Sequence, residues 1–236
     1  MNARFLPLLG FAVLLSSCAV DTHIATGPTQ YDSPSFERDD AKEVRLDLNM
    51  GAGDLKVGSG TRKLMQAYFT YNVPSWKPEV RYSAAGGVGS LTINQPGHSH
   101  GHFGNMKYEW DLRLNQDVPI DVKVNFGAGQ AELDLGNLAL RSVEVDMGVG
   151  SLQMDLRGNP KHDYNVRING GVGEAVIHLP SNAGVYAEAG GGIGEVSVRN
   201  LRKEGGHWVN DAYADSKVKI HLTVEGGVGS IKLIGE

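Results

Sequence analysis

Two carboxylates and three imidazoles are the side chains of this sequence whose type and spacing could do chemistry. Glu174 and Glu195 hold the same place in consecutive copies of a short glycine motif. If the copies stack as neighbouring strands, the two carboxyls lie about 5 Å apart, the separation that retaining glycosidases use. That reading needs one carboxyl with a raised pKa, and the aligned copies place no aromatic platform or basic cluster beside the pair. A solvated outer column accounts for both residues equally. His98, His100 and His102 alternate along a glycine-containing segment, and alternate residues of an extended chain point the same way. They are candidate zinc or copper ligands, although no nearby Asp, Glu or Cys completes a site. A solvated loop is the plainer explanation. Trp76, Trp110 and Trp208, with Tyr71, Tyr108 and Tyr213, cluster outside the regular part of the sequence. They could bind glycans or proteins, or cap the ends of the fold.

Cys18 is the one cysteine of the chain. Before it stand Arg4 and an apolar run over residues 5–15, broken by Pro7 and Gly10, which is the layout of a secretory signal. The run is too short for a membrane span, which needs about 20 apolar residues. Leu15-Ser16-Ser17-Cys18 resembles a bacterial lipobox, whose thiol receives a diacylglycerol, and lipidation explains a solitary exported cysteine. The alternative is a signal that happens to end near a buried thiol. Residues 1–17 are thus expected to be a lipoprotein signal peptide. Residues 18–42, with Thr26-Gly27-Pro28 and Ser33-Pro34-Ser35, read as a lipidated N-terminus and flexible tether. Residues 43–236 read as one domain. Ala19 in place of Asp predicts an outer-membrane destination if the organism is Gram-negative. With 22 basic against 27 acidic residues and no basic stripe, nucleic acid is excluded as a partner.

The elements that must position these residues come from a repeat. A G-x-G unit begins at Gly51, Gly87, Gly127, Gly148, Gly171, Gly192 and Gly227, with three consecutive steps of 21, 23 and 21 residues. Aligning the copies gives alternating columns. Three and five residues before the first glycine the chain is apolar, as at Leu46 and Leu48 or Val143 and Val145. Two and four residues after the second glycine it is apolar again, as at Leu152 and Met154 or Ile231 and Leu233. Apolar parity therefore switches across the motif, and one core can receive both sides only if glycine bends the chain. Each copy reads as strand, glycine corner, strand. It cannot bury its apolar edge alone but can when stacked. The fold class expected is an all-β, single-domain β-solenoid of seven rungs, with insertions near 59–78, 95–117 and 200–218; the competing fold is a β-sandwich.

The glycines themselves carry no ligand. Calcium-binding β-rolls need an Asp two residues after the last glycine, where this chain has Leu55, Leu91, Ala131, Leu152, Ala175, Val196 and Ile231. A phosphate loop would need a helix after the motif. No cofactor is expected.

The stretch Phe69-Thr70-Tyr71-Asn72-Val73-Pro74-Ser75-Trp76-Lys77-Pro78, with Gly86-Gly87-Val88-Gly89-Ser90-Leu91, resembles the toast-rack domain of LiaF-like cell-wall stress regulators. Later units such as Phe126-Gly127-Ala128-Gly129-Gln130-Ala131 are similar to related adhesin-type β-solenoid domains. The resemblance covers most of residues 43–236. It implies the same solenoid and a place in the cell envelope. The function expected is a non-catalytic envelope lipoprotein serving as a structural or adhesin-like scaffold. An accessory role in envelope stress sensing through a membrane partner is the alternative, and a polysaccharide-active enzyme is the third reading. Expected partners are the membrane through the lipid, and an envelope protein or glycan. Self-association is expected through a strand edge at the C-terminal Ile234-Gly235-Glu236, where the sequence offers no cap.

Overall fold

The second glycine of six of the seven motifs adopts φ between 130° (Gly129) and 154° (Gly194), backbone that L side chains rarely enter. The computed structural model describes residues 26–97 and 106–236, and in it each of these six segments is one long strand bent at that glycine. The strands are β1 (Gln30–Asp32), β2 (Ser35–Phe36), β3 (Glu43–Ser59), β4 (Met65–Tyr71), β5 (Glu79–Ala85), β6 (Val88–Asn94), β7 (Tyr108–Leu114), β8 (Ile120–Asp134), β9 (Leu140–Asp155), β10 (Tyr164–Leu179), β11 (Gly184–Arg199), β12 (Arg202–Glu204), β13 (His207–Val209) and β14 (Lys219–Gly235). The six bent strands β3, β8, β9, β10, β14 and β11 lie parallel in that order, with their second glycines in register.

Connection length forces each rung to fold back on itself. Residues 180–183 join Leu179 of β10 to Gly184 of β11, a reach of at most about 18 Å, whereas a straight 16-residue strand would be about 50 Å long. The bent strands therefore form two leaves with the apolar columns between them. Leu46, Leu48, Val122, Val124, Val143 and Val145 of the first leaf share one buried cluster with Leu55, Val57, Leu133, Leu152 and Met154 of the second. The β-solenoid expected from the columns is the architecture formed, and the sandwich of hairpins is not.

The backbone packing at the corner leaves no room for side chains. A Cβ built on Gly150 or Gly173 falls closer than 3.0 Å to the carbonyl oxygen of the equivalent glycine one rung earlier, Gly129 and Gly150 respectively. Positive φ and this close approach demand glycine independently. On the outer face, side-chain amides pair rung to rung: Asn125 Nδ2 donates to Asn49 Oδ1 at 2.7 Å, and Asn169 Nδ2 to Asp146 Oδ1 at 2.7 Å.

Three expectations are corrected. The second motif is not a rung: Gly86 and Gly87 have φ of 60° and 83° and close a two-residue hairpin between β5 and β6, as such turns require. β6 lies on the first half of β3 with Leu91 opposite Leu46, so the solenoid has six rungs. The C-terminal strand is not an end rung either. β14 lies between β10 and β11, pairing with both along its length. Its core residues Leu222, Val224, Ile231 and Leu233 are larger than Ala187, Ala189, Val196 and Val198 at the same columns of β11, so an internal place for β14 buries more apolar surface. Self-association through residues 230–236 is thereby ruled out as an edge pairing. Finally, part of the expected tether is built into the sheet, since β1 and β2 pair antiparallel with β4.

The two ends of the stack are closed differently. Beyond β3 the first leaf continues into β6 and β5, and the second into β7, β4 and the β1 and β2 pair. Between these additions Phe69, Trp76, Tyr108 and Trp110 form a chain of ring contacts with centroids 5.4 to 5.8 Å apart. Gln95 Oε1 covers the corner at this end by accepting from the amides of Gly51 and Ala52, at 2.7 and 3.1 Å. Beyond β11 the third insertion adds only β13, paired at Tyr186 and Ala187, and β12 outside it. Asn210, also from that insertion, is buried and fully engaged: its Nδ2 donates to the carbonyls of Pro180 and Ala183, and its Oδ1 accepts from the amide of Val185.

A further core column sits immediately before the first glycine. It holds buried Met50, Phe126 and Met147 in the first three rungs, and Gly170, Gly226 and Gly191 in the last three. A Cβ on Gly170 would meet only the Glu225 carbonyl oxygen, at 3.8 Å, an ordinary contact. Gly170→Ala is therefore expected to stabilise the protein by about 0.4–1 kcal/mol through the unfolded state. Gly173→Ala, three residues away, is expected to cost at least about 3 kcal/mol from strain and overpacking. Urea melts of the two variants check the contrast; equal effects would refute the backbone stack.

The N-terminal segment is held by two phenols. Tyr71 Oη donates to Asp32 and Tyr82 Oη to Asp39, each at 2.7 Å. Burial first, and then the carboxylate acceptor, pushes each phenol up to about 12. An unfolded tyrosine loses its proton near pH 10. Between there and about pH 12 the folded chain binds more protons than the unfolded one, so this stabilisation is complete below pH 10 and is lost as pH rises. Melts at pH 9 and pH 11.5 should differ by several kcal/mol, roughly 2 from each of these phenols, with burial of Tyr108 and Tyr164 adding in the same direction. The difference should shrink in Tyr71→Phe, and an undiminished difference there would assign the effect elsewhere.

Candidate functional site

The paired carboxylates read from the sequence do not assemble. Glu174 and Glu195 both stand opposite Ser230, because β14 separates their strands. Two strand spacings, about 10 Å, replace the single spacing a retaining pair needs. Lys232 of the intervening strand reaches Glu174 at 3.8 Å, and both glutamates are exposed. His98, His100 and His102 lie outside the described residues, as does Cys18. Among the described residues no group of three or more His, Cys, Asp or Glu side chains could hold a metal ion. Trp76, Trp110, Tyr71 and Tyr108 are all buried in the N-terminal cap, so capping accounts for them. Trp208 and Tyr213 belong to the third insertion, and Tyr213 lies 6.0 Å from Tyr186 between ring centroids. Tyr186 itself stacks on His207 at 4.3 Å and leans on His221 at 5.4 Å, a small aromatic patch on the outer face of the first leaf.

What the fold does bring together lies at the corner of the last rungs. The residue between the two glycines points away from the core. It is small and covered early in the stack, at Ala52, and large and exposed later: Val149 is 54% exposed, Val172 48%, Val228 48% and Ile193 73%. The strand order makes these four neighbours, with Val172 paired to both Val149 and Val228, and Val228 to Ile193. They form an apolar stripe along the ridge, about 14 Å long at one strand spacing per step. Beneath it, the missing side chains at Gly170, Gly191 and Gly226 leave a cavity of about 70 Å³ lined by Ile168, Ala175, Val196, Val224 and Ile231. That volume suits part of one aliphatic side chain and is far below a small-molecule site. Glu174, Glu195 and Glu225 on the same rungs are exposed, so the stripe is flanked by negative charge.

The far side of β11 completes this end. Past Ala187 the strand has no ladder partner on that side among the described residues, so residues 190–199 present a free edge. Reading the columns did not identify the stripe, because the middle residue of each motif was taken as part of the turn. The signal was present in the change from Ala52 and Ala128 to Val149, Val172, Ile193 and Val228.

No helix among the described residues is long and apolar enough to cross a membrane. Comparison with curated proteins gives no match. The family model described as the N-terminal domain of toast_rack matches residues 25–178. Among solved structures, a Clostridium sporogenes protein described as a "putative cell adhesion protein" is 34% identical, with 89% of this chain and 100% of that chain covered and a TM-score of 0.84. A Bacteroides fragilis "putative adhesin" is 12% identical over 87% of this chain and 97% of that one, at a TM-score of 0.25, too low to carry a structural argument. With a family match over more than half its length and a relative that shares its whole fold, this chain belongs to the family of the toast_rack N-terminal domain.

Proposed function

We propose that this protein is a non-catalytic, exported lipoprotein that acts as an adhesin-like interaction module of the cell envelope, anchored to the membrane through a lipid on Cys18. The observation that carries the reading is the apolar ridge Val149, Val172, Val228 and Ile193. A soluble protein that only needed a corner residue would keep the alanine found at Ala52 and Ala128. Four adjacent large aliphatic side chains raised above a glycine backbone instead match a surface meant to be covered. The adhesion-protein description of its 34%-identical relative supports the same class of function.

Ridge chemistry favours a protein partner over a glycan. Glycan sites present aromatic faces and hydrogen-bonding side chains, whereas this ridge is aliphatic and the N-terminal tryptophans are buried. The carboxylates of Glu174 and Glu225 beside the ridge select a partner segment that is apolar and basic. Its aliphatic side chains would cover the ridge, and the cavity below would take the tip of one of them. Catalysis gains no support from the paired-carboxylate candidate, since Glu174 and Glu195 are split by β14.

Crosslinking in living cells, followed by detergent extraction and identification of bound material, tests the reading. The wild-type chain should crosslink to a recurrent envelope protein. Val172→Lys/Val228→Lys should lower that yield at least about tenfold by adding repulsion and removing apolar cover, with the melting temperature unchanged. Cys18→Ser should release the chain from the membrane fraction without detergent. An undiminished yield in the double variant would refute the ridge as the binding surface, and recovery of a membrane kinase as the partner would assign the module to stress signalling.

A further inference from the structure

The free edge of β11 carries its own complement. On its second leaf the strand is straight only between two breaks, the corner glycine Gly194 with φ 154° and Asn200 with φ 57°. The stretch between them reads Glu195-Val196-Ser197-Val198-Arg199. About its midpoint, Ser197, this stretch is palindromic in chemistry: an acid and a base at the ends, valine on either side of the centre. Val196 and Val198 pack partly buried against the core, and Glu195, Ser197 and Arg199 alternate with them onto the outer face.

We infer that this edge pairs antiparallel with the same edge of a second copy of the chain, about a two-fold axis at Ser197. Residues directly opposite in an antiparallel pair project from the same face. Centring on Ser197 sets Val196 opposite Val198 of the other copy, which extends both cores across the axis. It also sets Glu195 opposite Arg199, which forms two identical ion pairs on the outer face. A two-fold interface must be self-complementary in this way, and the two breaks fix the centre without further choice.

The charges at this edge are unspent within the chain. Among the described residues, charged side chains elsewhere are paired, for example Arg202 with Glu204 and with Asp211 just beyond the strand. The side chains of Glu195 and Arg199 take part in no ion pair or hydrogen bond among the described residues. Protein edges are commonly protected by a covering loop, a proline or an inward-pointing charge. Here β13 covers only Tyr186 and Ala187 of the first leaf, and the second leaf ends in valines facing inward. Pairing requires the two capping hairpins to lie apart on the first-leaf side. The inference goes beyond the ridge as a partner site and uses a different test, because the ridge variants Val172→Lys and Val228→Lys leave this edge intact.

Charge exchange in the full chain, followed by sedimentation equilibrium over a range of concentrations, is the experiment. Wild type should dimerise reversibly, and more weakly as salt is raised. Glu195→Arg and Arg199→Glu should each weaken association by about tenfold or more, because each places like charges opposite one another twice per dimer. The double variant Glu195→Arg/Arg199→Glu should recover wild-type affinity to within about threefold. Both residues changed are solvent-facing charges, so unchanged thermal melts are expected and verify folding. A wild type monomeric at about 0.5 mM, a dimer indifferent to the single variants, or a double variant that does not recover would each overturn the inference.

Discussion

Backbone packed directly on backbone at the corner of each rung is the constraint from which the rest of this structure follows. With six second glycines at positive φ and stacked so closely that a Cβ would strike a neighbouring strand's carbonyl, the strand can bend without leaving the ladder. Because it bends there, apolar residues at odd offsets before the motif and even offsets after it reach the same interior. Because no side chain occupies the corner, the intervening residue is lifted outward and becomes a ridge. Core, parity switch and exposed stripe are thus consequences of one local conformation repeated in register.

The columns were legible in the sequence because burial acts on each rung in the same way: Leu46 and Val143, or Leu152 and Ile231, answer the same demand. Rung order was not legible, since a column says which positions stack and not which strand is whose neighbour. Only the comparison of Leu222 and Val224 with Ala187 and Ala189, a difference in size rather than in pattern, carries that information. The second motif misled because Gly87-Val88-Gly89 is spelled like a corner; Gly86 and Gly87 turn a hairpin there at φ 60° and 83°, whereas the same extra glycine at Gly170, Gly191 and Gly226 stays within a bent strand. Glu174 and Glu195 likewise looked adjacent in chain order and are parted by β14. The ridge is marked in the sequence only by size, Ala52 and Ala128 against Val149, Val172, Val228 and Ile193, between glycines whose spacing does not change.

The two ends of the solenoid divide stability from function. At the first end β6 and β7 pair with the two halves of β3, four aromatic rings pack between the additions and Gln95 takes the corner amides, so that end serves the core. Toward the other end the side chains shrink, Met147 giving way to Gly170, Gly226 and Gly191, and burial falls until β11 is largely open along its second leaf. A surface with few buried apolar groups and an unpaired edge is where binding is cheapest to evolve and where local opening is easiest. The ridge, the cavity beneath it and the free edge all lie there, and Glu195, which the sequence offered as half of a catalytic pair, stands on that free edge instead.

Nuclear Overhauser contacts in the isotope-labelled protein test the central claim, that β14 threads the stack and leaves β11 at its open end. The account predicts cross-strand contacts from Ile231 to both Ala175 and Val196, and from Val228 to both Val172 and Ile193. Direct contacts between Ala175 and Val196, with Ile231 contacting only one of them, would place β14 at the edge and contradict the account.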